Sequence, residues 1–318
     1  MNSQQMEEIY SYFHQLLVHS KTPPDIQLQQ EILQQFPNEV LLKMKRFSDY
    51  KKQKHEVVTS SITSPKILLG DNRKSLLKIK DQNIHLIFTS PPYYNAKNYC
   101  FYTSYVDYLQ QMKQTFIQCH RILEEGRFMI VNISPVIGKR PSRPYESIRY
   151  PIPFDFHRLL TEVGFTYQDE IIWIKPESTV PNRMGGFFQH HTPLTYKPNC
   201  ITESLLVYRK NADFLLDQII RRYPKSTEEL LHYESTNCWY IYPKKSKDHP
   251  AVFPEELCER VLQYYSFPGD VVCDPFAGSG TVGTVAQRLG RIPVLCEQKE
   301  QYINTLIQKN EYQIEVLI

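Results

Sequence analysis

Short apolar segments alternate with helix-like segments along most of the chain. In sequence order, the strand-like segments read KILLGD, IHLIFTS, RFMIVNI, DEIIWIKP, SLLVYRK, VVCD and PVLCE. Helical patterns fall between them at about residues 105–123, 154–163 and 254–265, and a last helix runs through Arg288. Strands that are apolar on both faces and joined by helices form parallel sheets. The alternation therefore predicts an α/β fold with a doubly wound, mostly parallel sheet and ligand sites at the carboxyl ends of its strands.

The first sixty residues have a different pattern. Apolar residues recur at helical spacing from Met6 to Leu17, and Asp25 and Asn38 can cap two further helices. We predict a helical N-terminal extension over residues 1–58 and one main domain over residues 59–318.

The composition is that of an ordinary globular protein, with 41% hydrophobic and 22% charged residues. No apolar stretch approaches the ~20 residues of a membrane span, and the N-terminus lacks a signal-peptide core. We therefore expect a cytoplasmic protein without a membrane partner. The seven cysteines include no CxxC pair, and the His190-His191 doublet has no companion at ligand spacing, so no metal site is expected.

A glycine motif lies between a strand and a helix near the end of the chain. Gly278, Gly280 and Gly283 spell GxGxxG, and Glu297 follows about 20 residues later, as in the dinucleotide-binding fingerprint. That fingerprint ordinarily lies on the first strand of its domain, whereas here the rest of the sheet must come from earlier strands. The segment Asp274–Phe276 also places an acid and an aromatic ring where a pyrophosphate would pass. A cofactor with a ribose and a zwitterionic tail but no phosphate fits better, and a nicotinamide-dependent oxidoreductase is the alternative.

A second motif, Thr89–Tyr93, follows the strand IHLIF with the sequence TSPPY. Each proline removes a ladder donor and fixes φ at about −65°, so the strand must stop and the backbone stays stiff and extended. A rigid structural corner with one packed tyrosine would have this sequence. It would equally suit a corner that presents an unpaired backbone carbonyl and an aromatic face to a ligand.

Together these motifs resemble those of a known enzyme family. Residues 274–281, DPFAGSGT, resemble the S-adenosylmethionine motif of DNA amino-methyltransferases, and Thr89–Tyr93 resembles their catalytic motif. The block HPAVFPEEL at residues 249–257 resembles the segment that precedes the cofactor motif in that family. The order, with the catalytic motif first and the cofactor motif last, is that of the circularly permuted β class. Over about residues 66–310 the chain thus resembles a β-class S-adenosylmethionine-dependent DNA amino-methyltransferase of the cytosine-N4 type.

The resemblance implies a set of cofactor-binding residues. Glu297 would hold the ribose, Asp71 would lie near the adenine ring, and Phe253 and Pro254 would enclose the methionine end. The full implied set is Asp71, Ser90, Phe253, Pro254, Asp274, Phe276, Gly278, Gly280, Thr281 and Glu297.

The catalytic residues implied are Ser90, Pro91, Pro92 and Tyr93. The amino group of a base is a poor nucleophile because its lone pair is delocalised into the ring. An acceptor at Ser90 and a backbone carbonyl in the proline corner can take hydrogen bonds from the two amino hydrogens, which aims the lone pair at the methyl group. Tyr93 can stack on a base that has left the duplex. Methyl transfer would be one in-line displacement without a metal or a covalent enzyme intermediate.

Basic residues indicate where nucleic acid would bind. The family places its target-recognition region at about residues 176–248, where basic and aromatic residues mix with Gly185-Gly186. Lys43–Lys54 forms a further basic cluster. The predicted DNA-binding residues are Lys139, Arg140, Arg143, Arg183, His190, His191 and Lys197.

We expect a site-specific DNA methyltransferase that acts on the N4 of cytosine in double-stranded DNA. Ser90 is a shorter and weaker acceptor than the Asp or Asn that the resemblance implies for adenine enzymes. N6-adenine methylation and an RNA substrate are alternatives within the same chemistry, and a nucleic-acid-binding protein with a degenerate cofactor fold is one from another class. The enzyme would be a monomer or dimer, associated with the nucleoid through DNA, either solitary or paired with a cognate restriction endonuclease without a stable complex.

Overall fold

The structure is a computed structural model that describes residues 60–95, 102–138, 142, 147–180, 191–194, 196, 198–212, 216–220, 222–223, 234–244, 254–302 and 313–316. All of these residues belong to one unit of the chain, Val57–Ile318. The predicted N-terminal extension lies outside the described residues.

The described strands form one nine-stranded sheet and one two-stranded ribbon. The order in the sheet is β11-β1-β10-β9-β2-β3-β7-β6-β8. Its strands are β1 (Lys66–Leu69), β2 (Ile84–Thr89), β3 (Leu123–Ile133), β6 (Phe165–Ile174), β7 (Thr202–Lys210), β8 (Cys238–Tyr240), β9 (Val271–Asp274), β10 (Ile292–Glu297) and β11 (Gln313–Val316). The ribbon pairs β4 (Val136–Ile137) with β5 (Arg149–Tyr150).

One strand of the described sheet runs against the others. Strand β7 pairs antiparallel with both β3 and β6, and every other pair in the sheet is parallel. The predicted mostly parallel, doubly wound sheet is confirmed. The reversal has a consequence for the site, because it brings the first residues of β7 to the carboxyl ends of its two neighbours.

Helices cover both faces of the sheet. They are α1 (Asn72–Ser75), α2 (Tyr105–Ile122), α3 (Ile152–Val163), α4 (Leu216–Ile220), α5 (Glu255–Tyr265) and α6 (Thr281–Arg288), with 3₁₀ turns at Leu76–Lys78 and Glu177–Thr179. Side chains of β2 alternate between the two faces, as the period of a strand requires. Ile87 packs into the core that includes Phe116 of α2 and Phe156 of α3, whereas Phe88 packs into the core that includes Val261 of α5 and Val285 of α6.

The order in which strands are added to the sheet reverses between β9 and β2, which are parallel neighbours. From β9 it continues through α6 to β10 on one side, and from β2 through α2 to β3 on the other. Ligands of open α/β sheets bind outside the carboxyl ends of the strands at such a switch point. Here those ends carry the cofactor-like motif after β9 and the TSPPY motif after β2.

One predicted boundary differs from the structure. Strand β3 begins at Leu123, directly after α2, whereas the sequence suggested a strand from Arg127. The first part of the strand contains charged residues, which obscure it in the sequence. Glu124 and Arg127 are both buried and form an ion pair at 2.9 Å. Arg127 also forms an ion pair with buried Asp270 at 3.1 Å. Strands β7 and β8 lie within the range predicted for the target-recognition region, about residues 176–248.

Among the described residues, no helix has both the length and the apolar character needed to cross a lipid bilayer.

Candidate active site

A cavity of about 500 Å³ opens at the carboxyl edge of the sheet, over the switch point. Segments that follow β1, β2, β6, β9 and β10 contribute to its wall, together with the end of β3 and the start of β7. The cavity brings together most of the residues that the sequence singled out, and these are Asp71, Ser90, Pro91, Pro92, Tyr93, Asp274, Phe276, Gly278, Thr281 and Glu297.

Glu297 closes the glycine loop onto the end of β10. Its Oε2 accepts a hydrogen bond from the backbone N–H of Gly278 at 2.8 Å, and its Oε1 accepts one from the N–H of Lys299 at 2.8 Å. Gly278 and Gly280 have φ of 53° and 76°, a left-handed conformation that glycine adopts at little cost. Burial raises the pKa of Glu297 above its ordinary value. The carboxylate is thus held in place, with lone pairs that remain available on both oxygens.

Asp274 lies at the end of β9 and is only 2% exposed. Its Oδ1 accepts hydrogen bonds from Thr89 Oγ1 at 2.6 Å and from the N–H of Phe276 at 3.0 Å. Burial raises the pKa of Asp274 to about 7, although both hydrogen bonds favour the charged form. A cationic group bound beside it would favour the carboxylate.

Asp71 caps the short helix α1 and lines the cavity. It accepts from the backbone N–H of Arg73 at 2.9 Å, and the Arg73 guanidinium bonds to both of its carboxylate oxygens. The side-chain bond to Arg73 lowers the pKa of Asp71. The neighbouring Asn72 donates to the backbone carbonyl of Pro275 at 2.9 Å, which fixes the turn after Asp274. This part of the wall is therefore charged and rigid.

The TSPPY corner follows β2, which ends at Thr89 and is a neighbour of β9 in the sheet. The Tyr93 side chain is partly buried, and its hydroxyl donates to Glu203 Oε2 at 2.7 Å. Burial, reinforced by the nearby Glu203 carboxylate, raises the pKa of Tyr93 well above its ordinary value. The Tyr93 hydroxyl is therefore protonated at physiological pH and serves as a hydrogen-bond donor.

Three polar residues beside this corner were not identified from the sequence. Asn132 at the end of β3 donates to Glu203 Oε2 at 2.7 Å, with its Nδ2 3.5 Å from Ser90 Oγ. Lys175, just after β6, forms an ion pair with Glu203, and its Nζ lies 4.7 Å from the centre of the Trp173 ring. The sequence indicated these residues only weakly. Asn132 interrupts the apolar run RFMIVNI, and Glu203 is the second residue of the strand TESLLVYRK.

The remaining predicted residues are not brought into the cavity by the described structure. Pro254 precedes α5 and Gly280 caps α6, and neither lines the wall. His191 is exposed, with φ of 46°. Phe253 and the other predicted DNA-binding residues, Lys139, Arg140, Arg143, Arg183, His190 and Lys197, lie outside the described residues.

Within the part of the chain that the structure describes, no group of three or more His, Cys, Asp or Glu side chains is arranged to hold a metal ion. The polar groups of the cavity are instead hydrogen-bond donors and acceptors fixed by their neighbours. Such an arrangement can hold a polar organic ligand on the glycine-loop side and a planar ring against Tyr93 on the other.

The chain is similar to several known proteins. The sequence model of a family described as DNA methylase matches residues 84–309. The chain is 25% identical to the type II methyltransferase M.BglII of Bacillus subtilis, over 76% of this chain and 68% of that protein. It is 27% identical to the DNA adenine methyltransferase YhdJ of Escherichia coli K12, over 74% and 79%. A DNA modification methylase from Thermus thermophilus, solved in complex with S-adenosyl-L-methionine, is 26% identical with a TM-score of 0.60, over 80% of this chain and all of that one.

Proposed function

The chain belongs to the DNA methylase family, whose sequence model covers residues 84–309, and from that membership we propose that it methylates the exocyclic N4 of cytosine at a specific site in duplex DNA. Family membership alone identifies a DNA methyltransferase of the N4/N6 type. The proposal adds the base and the atom. It places the cofactor in the glycine-loop half of the cavity and the target base in the half that contains Tyr93.

The residues of the glycine-loop half fit S-adenosylmethionine. Each carboxylate oxygen of Glu297 accepts one backbone N–H and keeps a lone pair, so the two can accept the vicinal hydroxyls of a ribose. Buried Asp274 would be stabilised as a carboxylate by a positively charged ligand. The complex of the Thermus thermophilus methylase with this cofactor supports the assignment. When bound, the sulfonium group supplies an electrophilic methyl.

We assign contacts with this cofactor to the predicted cofactor-binding residues on the cavity wall. We also assign contacts to Phe253 and Pro254, which the family resemblance places at the methionine end. Gly280 would act through its backbone, because it sets the start of α6 without lining the wall. Asp71 has both oxygens engaged by Arg73, so it would contribute to the adenine end through the shape and charge of the Asp71–Arg73 pair.

The chemistry of the other half follows from the TSPPY corner. A target base that leaves the duplex can stack on Tyr93, whose hydroxyl is tied to Glu203. The Ser90 hydroxyl and a backbone carbonyl of the proline corner accept the amino hydrogens and keep the nitrogen lone pair out of the ring. Transfer of the methyl group to the amino nitrogen would break its bond to the sulfonium sulfur and leave a neutral thioether, and the proton lost from the nitrogen would pass to solvent.

The observation that carries the choice of cytosine is Ser90 at the first position of the corner. The hydroxyl of Ser90 reaches less far than an Asp or Asn side chain would. A short side chain at this position is compatible with a pyrimidine, the smaller of the two base rings. N6-adenine methylation is the second candidate, because the relative YhdJ is named as a DNA adenine methyltransferase.

Duplex DNA would lie across the mouth of the cavity and contact the predicted basic residues Lys139, Arg140, Arg143, Arg183, His190, His191 and Lys197. The type II relative M.BglII supports a place in a restriction-modification system. We propose that any cognate endonuclease recognises the same site without a stable complex, and that the enzyme acts on the nucleoid as a monomer or dimer.

The test is to express the protein in cells that lack DNA methylation, digest their DNA to nucleosides and separate these by mass spectrometry. N4-methylcytosine is expected, and it should disappear with the Ser90→Ala variant as the matched control. N6-methyladenine as the only product would contradict the choice of base, and unmodified DNA would contradict the enzyme assignment. Sequencing that reports modified bases would then give the recognition site.

A further inference from the structure

We propose that Glu203 is a positioning residue of the target-base half of the cavity, and that its carboxylate fixes the Tyr93 ring and the Asn132 amide in the orientations that the reaction needs. The inference rests on the proposed function and deepens it. It does not depend on whether the base is cytosine or adenine.

The reversed strand β7 is what brings Glu203 to this place. Glu203 is the second residue of β7 and is opposite Trp173 of β6, while its neighbour Ser204 is opposite Ile133 of β3. Because β7 runs against both neighbours, its first residues lie at their carboxyl ends. The Glu203 side chain is 15% exposed and lines the cavity.

One oxygen of Glu203 joins two groups of the site. Its Oε2 accepts from the Tyr93 hydroxyl at 2.7 Å and from Asn132 Nδ2 at 2.7 Å. Hydrogen bonds to an ionised carboxylate are stronger than neutral ones and hold their partners in a narrower geometry. A tilt of the Tyr93 ring or a rotation of the Asn132 amide would therefore break a charged hydrogen bond.

The Asn132 amide is held in this orientation although one of its atoms gains nothing from it. Its Oδ1 is buried and has no hydrogen-bond partner among the described residues, which costs about 1–3 kcal/mol. A carboxylate can only accept, so the bond to Glu203 requires that Nδ2 face the acid. In this orientation Nδ2 also points toward Ser90 Oγ, 3.5 Å away, and a rotated amide would present an acceptor there instead.

Lys175 supplies the opposite charge to Glu203 in a largely buried place. Its Nζ is paired with Glu203 and lies above the Trp173 ring, and the Lys175 side chain is 15% exposed. An unpaired carboxylate at this depth would be costly, whereas a paired one that is fully hydrogen-bonded is not. Among the described residues, the hydrogen bonds of Glu203 go to Tyr93, Asn132 and Lys175 and not to the glycine loop, so loss of the ion pair should leave cofactor binding unchanged.

The test compares wild-type protein with Glu203→Gln, which keeps the shape of the side chain and removes its charge. The single-turnover rate of methylation should fall on the order of 100-fold, because a small displacement of the reacting groups has effects of this size. The affinity for S-adenosylmethionine, measured by calorimetry, should not change. Glu162→Gln is the matched control: Glu162 pairs with Lys113 at 2.7 Å on the surface, outside the site, and its loss should alter neither quantity.

Two double variants distinguish positioning from mere packing. If Glu203 acts through the Tyr93 hydroxyl, Tyr93→Phe combined with Glu203→Gln should be no slower than the slower single variant, within about twofold. Asn132→Asp alone should be slow because two carboxylates meet. Combined with Glu203→Gln, it should recover at least tenfold relative to Asn132→Asp alone, since the two carboxylates no longer meet.

An unchanged rate for Glu203→Gln in an active wild-type background would overturn the inference and leave the proposed function intact. So would an equal loss of cofactor affinity, additive effects with Tyr93→Phe, or no recovery in the second double variant. An inactive wild-type protein would overturn the proposed function instead, so the two failures are distinguishable.

Discussion

Thr89 Oγ1 donates a hydrogen bond to Asp274 Oδ1 at 2.6 Å, and both residues are almost fully buried. Thr89 is the last residue of β2 and precedes Ser90, and Asp274 is the last residue of β9 and precedes the glycine loop. The bond therefore joins the two halves of the site across the switch point of the sheet. The separation between the catalytic corner and the cofactor loop is set partly by this one contact.

Replacing Thr89 with Val should weaken cofactor binding, although Thr89 is not expected to touch the cofactor. The variant keeps the volume but leaves the buried acid without one of its two donors, at a cost of about 1–3 kcal/mol. Calorimetric titration with S-adenosylmethionine should show a roughly 5- to 150-fold loss of affinity. Thr89→Ser retains the hydroxyl and should bind nearly as well as wild type. Equal affinities for the Val and wild-type proteins would mean that the bond does not support the cofactor site.

Asp274 should make the cofactor-free protein less stable as the pH rises. Burial raises its pKa from the ordinary 3.8 to about 7, so the folded state holds the proton more tightly than the unfolded state does. This contribution to stability is fully present below about pH 4 and is lost by about pH 7. Asp274→Asn does not titrate, so its stability relative to wild type should increase across this window, by up to about 4 kcal/mol, and then level off. Thermal unfolding at a series of pH values measures the difference, and a constant difference would refute the raised pKa.

The sheet was predictable because its central strands are covered on both faces and consist almost entirely of apolar residues. In β2, Leu86 and Phe88 pack on one face and Ile87 on the other, and His85 is the one polar residue before Thr89 ends the strand. The start of β3 was not predictable in this way. Glu124 and Arg127 look like solvated residues in the sequence, and only the buried ion pairs with each other and with Asp270 explain their place in a strand.

The two halves of the site also differ in how far they could be predicted from the sequence. The glycine-loop half is built from contiguous residues around Asp274 and Gly278, and a contiguous motif can be read from one stretch of sequence. The network of Glu203 is built from the ends of β3 and β6 and the start of β7. Its members meet only because β7 is reversed, which sequence periodicity cannot reveal. A polar residue at the end of an apolar strand, such as Asn132, is the signal that could have indicated it.

Glu297→Ala should reduce cofactor affinity with little effect on turnover at saturating cofactor. The substitution removes the acceptor for the ribose and leaves the N–H groups of Gly278 and Lys299 without partners, a loss of about 1–3 kcal/mol. Glu297→Gln keeps one carbonyl oxygen and should lie between the two. Calorimetry measures the affinity, and an unchanged value for the Ala variant would remove Glu297 from the cofactor site.

Neutralising Arg140, Arg143 and the basic residues of Lys43–Lys54 should weaken binding to all duplexes alike. Contacts to phosphate release counterions and carry no sequence information, so each lost contact should lower the slope of log affinity against log salt by about one unit. Fluorescence anisotropy with a cognate and a scrambled duplex over a range of salt concentrations measures both effects. A change of sequence preference at constant slope would assign these residues to base readout instead.

Ser90→Ala and Tyr93→Ala should have a signature opposite to that of Glu297→Ala. Both side chains line the half of the cavity assigned to the base, and both contact Asn132. Among the described residues, neither has a hydrogen bond to the glycine loop. Turnover should fall by a factor on the order of 100 or more, as it does when a group that stabilises the transition state is removed. Cofactor affinity should remain close to that of wild type.

Tyr93→Phe separates the two functions of the tyrosine, because it keeps the ring that stacks on the base and loses only the hydroxyl bond to Glu203. Its rate should lie between those of wild type and Tyr93→Ala, and a Phe variant as slow as the Ala variant would show that the hydroxyl, rather than stacking, is what the reaction requires.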